Sequence, residues 1–296
     1  MTLRRILLAA LRRSPFLFGD RTFLRLRYRL EMGKPLKFSD CHTFNEKLQW
    51  LKIYNRHKDL TDCVDKIKAK EYVGTIIGDK YIIPTLKTWK SVSEITQFDI
   101  DSLPEQFVIK TNHSGGNTGV VICSDKSSFD LDAVRAKMEL SLHTDVYTQY
   151  REWPYKNIKR QILAEKFLGD NLVDYKFFCF NGKVDCVMLC LDRGSGDTKF
   201  YFFDPEWKLK RLNKRGLSAP DGFTLPKPNG MDEMFKIAGK LSEGLPFVRV
   251  DLYNIDGHIY FGELTFYPAS GFDANLLPET DQYFGSLIDL SLAHKD

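Results

Sequence analysis

Two glycine-containing turns limit what this chain can fold into. Asn181-Gly182 and Asp256-Gly257 each separate two apolar runs of strand length. Such dipeptides are typical of two-residue β-hairpin turns, because both turn residues there adopt positive φ. The flanking runs predicted to be antiparallel strands are 174–180, 184–191, 247–254 and 258–265. The chain must therefore contain antiparallel sheet, whatever else it contains.

A third predicted hairpin carries a glycine-rich loop. The strand 107–111 leads into Ser114-Gly115-Gly116-Asn117-Thr118-Gly119, and the strand 120–123 returns from it. Glycines let backbone N–H groups approach phosphate oxygens closely, and Lys110 on the entering strand could meet the same phosphates. No Gly-Lys-Ser/Thr follows, as a P-loop requires, and no helix follows, as a dinucleotide fingerprint requires. Taken alone, the loop is equally consistent with an ordinary turn.

Helical patterns surround these hairpins. Thr43 and Glu46 form a capping box ahead of one helix. Further helices are predicted over 61–72, over 131–142 and at the C-terminus. Residues 162–168 are predicted to form a short buried strand. Antiparallel hairpins interleaved with helices indicate an α+β fold.

The last hairpin carries four polar side chains that could serve a metal site. Arg249 and Asp251 are two residues apart on one arm, and Glu263 and Thr265 are two apart on the other, so each pair shares a sheet face. Two carboxylates across a hairpin can reach one Mg²⁺ whose other ligands are nucleotide phosphates. An Arg–Asp surface pair beside an unrelated glutamate is the alternative.

Composition bounds the remaining possibilities. The 296 residues carry a net charge of +4 and six cysteines without a Cys-x-x-Cys pair, so buried free thiols are expected. Residues 1–30 contain eight arginines against Asp20 alone, interleaved with Leu, Ile and Phe. This segment could lie on an anionic membrane surface or could be a docking helix with solvated arginines. No nucleic-acid-binding signature accompanies it, so no nucleic-acid partner is expected.

The sequence also bears on where the protein is found. No secretory signal and no apolar stretch of about 20 residues is visible, which predicts a cytoplasmic location. The protein would lie on the inner face of the membrane if residues 1–30 bind lipid.

Taken in order along the chain, these features resemble the ATP-grasp superfamily, in which two α+β subdomains clamp ATP between antiparallel sheets. The resemblance rests on Asp65-Lys66, Phe107-Val-Ile-Lys110, Ala164-Glu165-Lys166-Phe167-Leu168, and Asp251 with Glu263 and Thr265. It implies that Lys66, Lys110 and the loop residues Ser114, Gly115 and Gly116 contact the phosphates of ATP. It implies that Glu165, with the backbone of Lys166 and Leu168, contacts adenine. It also implies that Asp251 and Glu263 hold Mg²⁺, whereas Thr265 departs from the usual Asn.

The domain boundaries follow from the same resemblance. Residues 1–60 would be a basic helical N-terminal region and 61–106 the N-terminal part of the ATP-grasp fold. Residues 107–168 would be the small subdomain with the glycine-rich loop, and 169–296 the C-terminal subdomain with the metal hairpin.

A closer resemblance is to the TupA-like ATP-grasp family. It is carried by Thr43-Phe-Asn-Glu-Lys-Leu-Gln-Trp50, Arg151-Glu-Trp-Pro-Tyr155, Asp174-Tyr-Lys-Phe-Phe-Cys-Phe-Asn-Gly182 and Phe261-Gly-Glu-Leu-Thr-Phe-Tyr-Pro268. Such proteins belong with bacterial surface-polysaccharide loci for capsule, O-antigen and teichuronopeptide synthesis, and are often labelled glycosyltransferases. The resemblance implies an ATP- and Mg²⁺-dependent ligase that joins an amino acid to the carboxylate of a uronic-acid saccharide.

In that chemistry the protein positions reactants and neutralises charge. Lys110, Lys66, Lys176 and Arg249 are the candidate cations, and His113 beside the loop could assist phosphoryl transfer or be structural. The alternatives are a glycosyltransferase using Asp99-Ile-Asp101 or Asp130-Leu-Asp132, a sugar kinase with the same ATP clamp, and a non-catalytic carbohydrate-binding protein. The last would use Trp50, Trp153, Tyr155 and Trp207. The acceptor sugar, the amine and the oligomeric state are not determined by the sequence.

Overall fold

The computed structural model describes residues 3–115, 118–170, 172–192 and 198–293. Its α-helices are Leu3–Arg13 (α1), Asp20–Met32 (α2), Phe44–Tyr54 (α3), Asp59–Val64 (α4), Lys68–Ile77 (α5), Gln97–Ser102 (α6), Leu131–Leu142 (α7), Val146–Tyr150 (α8), Lys214–Leu217 (α9), Met231–Leu241 (α10) and Pro278–Leu287 (α11). Its strands are Thr85–Trp89 (β1), Phe107–Thr111 (β2), Val120–Cys123 (β3), Ile162–Lys166 (β4), Asp174–Phe180 (β5), Lys183–Leu191 (β6), Lys199–Phe203 (β7), Leu209–Lys210 (β8), Phe247–Ile255 (β9) and His258–Thr265 (β10). The three predicted hairpins are present with nearly the predicted bounds.

The smaller of two antiparallel sheets has the strand order β1-β4-β2-β3. Its apolar face packs beneath α6 and α7 in a separate core that contains Trp89, Phe107, Ile109 and Met138. Strand β1 lies in the segment 61–106 and pairs with β4, so this sheet draws strands from both sides of residue 107. The pairing of β1 with β4, far along the chain, leaves no local sequence signal.

The larger sheet has the order β10-β9-β5-β6-β7-β8. One face packs against α10, where the Phe177 and Phe235 ring centroids are 5.0 Å apart. The other face packs against α3 and α11 through Phe178, Phe44 and Phe284, whose ring centroids lie 5.4 to 6.4 Å apart. Burying aromatic surface on both faces explains why all seven residues of β5 are buried.

The predicted helix over 61–72 is two helices with a break between them. Helix α4 ends at Val64, and α5 starts at Lys68 and runs beyond Gly74 to Ile77. Asp65 makes the break: its Oδ1 accepts a hydrogen bond from the Ile67 N–H at 2.9 Å. Asp side chains favour such local caps over helix interiors, so a continuous helix was the wrong prediction.

The N-terminal region is helical, as predicted, and α2 is integrated into the protein body. Its side chains Phe23, Leu24 and Tyr28 are fully buried and join the core cluster formed with Leu36 and Phe38. Among the side chains of α1 that are described, Leu11 is the one that joins that cluster. Among the described residues, no helix is both long enough and apolar enough to traverse a bilayer.

The six cysteines are free thiols, as the sequence predicted. Burial raises the pKa of Cys63 and Cys179 to about 12, so neither is a thiolate at neutral pH.

Candidate active site

The metal hairpin depends on a bulge in β10. Between Phe261 and Glu263 the register shifts, so Glu263 lies directly opposite Asp251 and Thr265 directly opposite Arg249. A regular ladder would have put Gly262 opposite Asp251 and turned Glu263 away. Gly262 suits the bulge because a Cβ there would lie only 3.0 Å from the Asp251 carbonyl oxygen. The predicted proximity of Asp251 and Glu263 is therefore present.

Asp251 is buried and surrounded by cations. Arg249 donates to both its oxygens at 2.7 Å, and Lys176, paired with Asp251 across strands β5 and β9, also donates to it. Lys176 Nζ is 3.6 Å from Asp174 as well. Lys176 and Arg249 were predicted to face the reacting groups, whereas here both hold Asp251 in place.

Glu263 is the more accessible carboxylate. Its Oε1 accepts from Thr265 Oγ1 at 3.1 Å and from Arg249 Nη2 at 3.4 Å, and 41% of its side chain is exposed. Burial by itself would raise the pKa of Glu263, but Lys66, Arg249 and Lys176 outweigh it and lower that pKa to about 2. Glu263 is therefore an anion at any physiological pH.

These donors fit a magnesium ion only in part. The described residues contain no cluster of three or more metal-ligating His, Cys, Asp or Glu side chains. Mg²⁺ commonly takes one or two protein carboxylates and completes its six oxygen ligands with phosphates and water. Glu263, with Asp251 behind it, matches that arrangement. Thr265 stays a predicted ligand, and its hydroxyl at present donates to Glu263.

A second charged group lies on the small sheet. Glu165 is buried between two lysines: its Oε2 is 2.5 Å from Lys110 Nζ, and its Oε1 is 2.6 Å from Lys70 Nζ. Burial alone would raise the pKa of Glu165, but the two ammonium groups lower it overall. Glu165 was predicted to contact adenine, and that contact stays a prediction. Lys70 was not predicted to belong to the site, because the contact between its helix and Glu165 on β4 arises only in the tertiary structure.

Part of the backbone predicted to contact adenine, at residues 164–168, is already hydrogen-bonded within the protein. Lys166 donates its N–H to the Pro84 carbonyl at 3.0 Å, so that N–H is not available for adenine. Its carbonyl and the backbone of Leu168 remain the predicted adenine contacts.

Lys66 is influenced by both charged groups: the one around Asp251 and Glu263 on the large sheet, and the one around Glu165 on the small sheet. Its N–H donates to Asn112 O at 2.9 Å, and its Nζ donates to Ser114 O at 2.5 Å. Burial lowers the pKa of Lys66, and the charges acting on it come from Glu263 on the large sheet and from Lys110 and Glu165 on the small one. The helix break and the two sheets therefore meet at Lys66.

Asn112 holds the helix break at Asp65 against the end of β2, and the sequence did not predict this role. Its side chain donates to Asp65 Oδ2 at 2.9 Å and to Lys159 O at 3.0 Å, and accepts from Gln161 N at 2.8 Å. The helix break is thus tied to the end of β2. An asparagine beside a strand end is common in turns, so nothing in the sequence distinguished this one.

The glycine-rich loop is anchored at its base. Ser114 Oγ accepts from Thr111 Oγ1 at 2.7 Å, and Gly119 packs so closely on hydroxyls that a Cβ there would collide with Thr111, Ser114 and Ser141. Gly115 is exposed. Gly116, also predicted to contact phosphate, lies outside the described residues.

Among the described residues, no hydrogen bond joins His113 to Lys66, Glu165 or Glu263. Its ring is buried, with Nε2 3.2 Å from Thr144 O. Burial, followed by the nearby Arg160, lowers the pKa of His113 to about 4. A buried neutral imidazole favours the structural alternative over an acid–base role.

A strained turn follows the metal hairpin. Ala269 (φ 47°) and Ser270 (φ 53°) both adopt left-handed conformations, which cost of order 1–3 kcal/mol each. Gln49 Nε2 donates to Ser270 O at 3.0 Å, and the fully buried Lys52 donates to the same oxygen at 2.8 Å. Strain held by buried donors often marks a functional segment. The turn was not among the predicted features, since neither residue type signals positive φ.

The carboxylates proposed for the glycosyltransferase alternative have structural roles. Asp99 is the third residue of α6 in a capping box with Thr96, and Asp130 is the N-cap of α7. Three of the four aromatic residues of the carbohydrate-binding alternative pack against the protein core, namely Trp50, Tyr155 and Trp207. Trp50 and Trp207 lie against Tyr54 and Phe203, with ring centroids 4.5 and 4.7 Å apart.

Comparison with known proteins gives the family. The sequence matches the family described as TupA-like ATPgrasp over residues 46–289. The chain belongs to the TupA-like ATP-grasp family. No match was found among curated proteins.

The solved structures that this chain resembles include two D-alanine–D-alanine ligases and a carboxyaminoimidazole synthetase. D-alanine–D-alanine ligase from Helicobacter pylori is 14% identical, with a TM-score of 0.44 over 83% of this chain and 69% of that one. The Bacillus anthracis D-alanine–D-alanine ligase complexed with ATP is 16% identical (TM-score 0.45; 79% and 65%). N5-carboxyaminoimidazole synthetase from Staphylococcus aureus complexed with ADP is also 16% identical (TM-score 0.45; 77% and 56%). The chain therefore spans 56–69% of the length of these three structures.

We predict that Lys110 contacts the nucleotide phosphates. A charge-assisted hydrogen bond contributes roughly 1.5–3 kcal/mol, so Lys110→Met should weaken ATP binding about ten- to a hundredfold in calorimetry. Lys68→Met is the matched control, because Lys68 is exposed and pairs with Asp62 at 2.6 Å. Equal ATP affinities for the two variants would contradict the assignment.

We predict that His113 makes stability depend on pH. Its pKa is about 4 in the fold against an ordinary 6.5, so the unfolded chain alone takes up this proton as pH falls from 6.5 to 4. Wild type should lose up to about 3 kcal/mol through this residue across that window. The stability difference between wild type and His113→Asn, from urea unfolding, should shrink accordingly between pH 7 and 4.5.

Leu140→Ala provides the control for this experiment, because it removes an exposed side chain of α7 without changing any titratable group. The stability difference between wild type and Leu140→Ala should be the same at both pH values. A His113→Asn difference that is the same at both pH values would mean that the imidazole titrates normally in the folded protein.

Proposed function

We propose that this protein is an ATP- and Mg²⁺-dependent ligase that forms an amide between an amino acid and the carboxylate of a uronic-acid saccharide, in the synthesis of a bacterial surface polysaccharide such as capsule, O-antigen or teichuronopeptide. The observation that supports the proposal is Lys66, whose ammonium group is close enough to feel the charges of Glu263 on the large sheet and of Lys110 and Glu165 on the small sheet. A nucleotide held between the two sheets would have cations for its phosphates and a carboxylate for its metal in one place.

The chemistry requires activation of the acceptor. A carboxylate does not react with an amine at neutral pH, because its carbon is not electrophilic. Attack of a carboxylate oxygen on the γ-phosphorus of ATP breaks the bond to ADP and leaves an acyl phosphate. Attack of the amine nitrogen on the acyl carbon then releases phosphate, and the nitrogen loses a proton to solvent. No covalent bond to the protein is needed.

The residues of the chain act by position and charge. Lys110 and Lys66 are proposed to bind the phosphate oxygens, whose negative charge grows on the departing ADP. Glu263, supported by Asp251, would hold Mg²⁺, which neutralises phosphate charge when bound. Arg249 and Lys176 would hold the Asp251 carboxylate in place, which makes them positioning residues in this scheme.

A sugar kinase would use the same nucleotide cleft and is the second candidate. It differs from the ligase in one measurable respect, since a kinase needs no amine. ADP release from ATP, Mg²⁺ and a uronic-acid saccharide that depends on added amino acid supports the ligase. ADP release without an amine supports the kinase, and UDP release from a sugar donor supports a glycosyltransferase.

We predict that Glu263→Gln abolishes most of this turnover. The substitution keeps an oxygen for Thr265 and removes the anionic ligand. Removing residues that merely support metal ligands costs 10–100-fold in metal affinity, so the Mg²⁺ concentration for half-maximal turnover should rise by at least about tenfold. Glu279→Gln, an exposed glutamate on α11, should leave it unchanged. A Glu263→Gln enzyme with wild-type magnesium dependence would remove Glu263 from the metal site.

We further propose that the N-terminal helix rests on an anionic membrane surface, which would place the enzyme peripherally on the inner face of the membrane. The support is a patch of exposed apolar side chains, Phe16 and Leu17 at 79% and 66% and Ile6 and Leu7 on α1. Arg5 and Arg13 are exposed beside them. Other arginines are engaged within the protein: Arg12 pairs with Glu31 at 3.0 Å, and the buried Arg27 binds the Gln149 carbonyl.

The membrane prediction can be tested without removing α2, which is part of the core. Phe16→Ser with Leu17→Ser should reduce co-sedimentation with phosphatidylglycerol vesicles by at least about tenfold, because each side chain contributes roughly 1.5–3 kcal/mol when buried in lipid. The control is Phe98→Ser, which removes a side chain that is 78% exposed on α6. Equal co-sedimentation of the two proteins would leave the patch without a membrane role.

A further inference from the structure

A polar cavity of about 430 Å³ opens at the end of the large sheet, where β7 and α9 meet the loop before α11. Its lining combines two basic side chains, two hydroxyls and two amides: Lys214, Arg215, Thr198, Ser218, Asn213 and Asn275. Phe200 adds an aromatic ring. Hydroxyl and amide groups suit a polyhydroxylated ligand, an aromatic ring suits the apolar face of a sugar, and cations suit an acid.

Hydrogen bonds to the backbone hold the walls of the cavity in place. Asn213 accepts from Gly216 N at 2.8 Å and donates to Phe200 O at 3.0 Å, which holds α9 against β7. The neighbouring loop is held by an isolated bridge between Asn213 and Leu276. Lys214 is exposed and ion-pairs with no acidic residue in the described part of the chain. Its charge is therefore available to a ligand.

The cavity lies on the same face of the large sheet as the metal hairpin. Phe200 pairs with Cys190, which pairs with Asp174. Cross-strand partners point to the same side, as do residues two apart, so Phe200 shares its face with Asp174 and with Lys176, the residue that contacts Asp251. Phe200 and Asp174 are two strand spacings apart, or roughly 10 Å.

The loop that carries Asn275 also connects the cavity with the metal hairpin. Asn275 donates its N–H to Asp273 Oδ1 at 2.9 Å. Asp273 is in turn close enough to Arg249 for the arginine to act on its charge. The loop that carries Asn275 therefore runs from the cavity to the metal hairpin.

We propose that this cavity binds the acidic saccharide acceptor, with Lys214 pairing with a carboxylate of the sugar chain while another carboxylate reaches the nucleotide cleft. The proposal rests on the ligase function proposed above and adds to it a location for the acceptor. It makes Lys214 a binding residue that touches neither ATP nor the reacting atoms.

The test uses the full chain and digalacturonate as the probe, with neutral digalactoside and inorganic phosphate as comparisons. In calorimetry without ATP, digalacturonate should bind wild type more tightly than either comparison does. Lys214→Gln should weaken that binding about five- to tenfold, the range of a partly exposed charge pair. Lys240→Gln, which removes an exposed lysine on α10, should bind like wild type. In turnover, Lys214→Gln should raise KM for the saccharide and leave kcat and the KM for ATP unchanged.

The two proposals fail in different ways. Equal digalacturonate affinity in wild type and Lys214→Gln overturns the cavity assignment, even if amide formation is observed. Phosphate binding as tight as digalacturonate binding also overturns it, because the cavity would then be a simple anion site. Lys214-dependent binding without any ADP release in the presence of amino acids supports the cavity and removes the ligase function.

Discussion

The buried carboxylate of Asp251 is the interaction on which the rest of the site depends. An isolated carboxylate at this depth would be costly, since the desolvation penalty reaches several kcal/mol per ion. Arg249 supplies two hydrogen bonds to it and Lys176 supplies another from the adjacent strand. Two cations thus compensate the buried carboxylate, and strands β5 and β9 are held in register at this point. Glu263 is brought to this cluster by the bulge at Gly262 and is left with enough exposure to meet a ligand.

The small sheet repeats this arrangement of one buried carboxylate between two cations. One buried carboxylate, Glu165, is shared by Lys110 and Lys70. A nucleotide phosphate that attracts Lys110 would leave Glu165 with Lys70 as its partner, so the carboxylate would not become an unpaired buried charge. The cost of moving Lys110 to a ligand is reduced in this way. Lys70 thus supports the proposed exchange without touching the phosphate itself.

Local patterns predicted most of the secondary structure, and tertiary contacts explain where the prediction failed. The hairpins at Asn181-Gly182 and Asp256-Gly257 follow from turn chemistry, which acts over a few residues. The helix break at Asp65 was not predicted from the sequence, because the Asp65 carboxylate is held partly by Asn112, which follows a distant strand. Strand β1 and Lys70 were missed for the same reason, as their partners on β4 lie far along the chain. The left-handed turn at Ala269 and Ser270 is imposed by Gln49 and Lys52 from α3.

The sequence by itself determined the fold class, the family resemblance and the types of charged residue available to the site. These are fixed by short-range rules: turn residues, alternation along strands, and the order of charged motifs. Only the tertiary structure decided which charged side chains form ion pairs inside the protein and which can still bind a ligand. Arg249 and Lys176 looked as available as Lys66 in the sequence, yet both are bound to Asp251. The physical reason is that a charge is assigned by its nearest partners in space, and the pairing of distant strands chooses those partners.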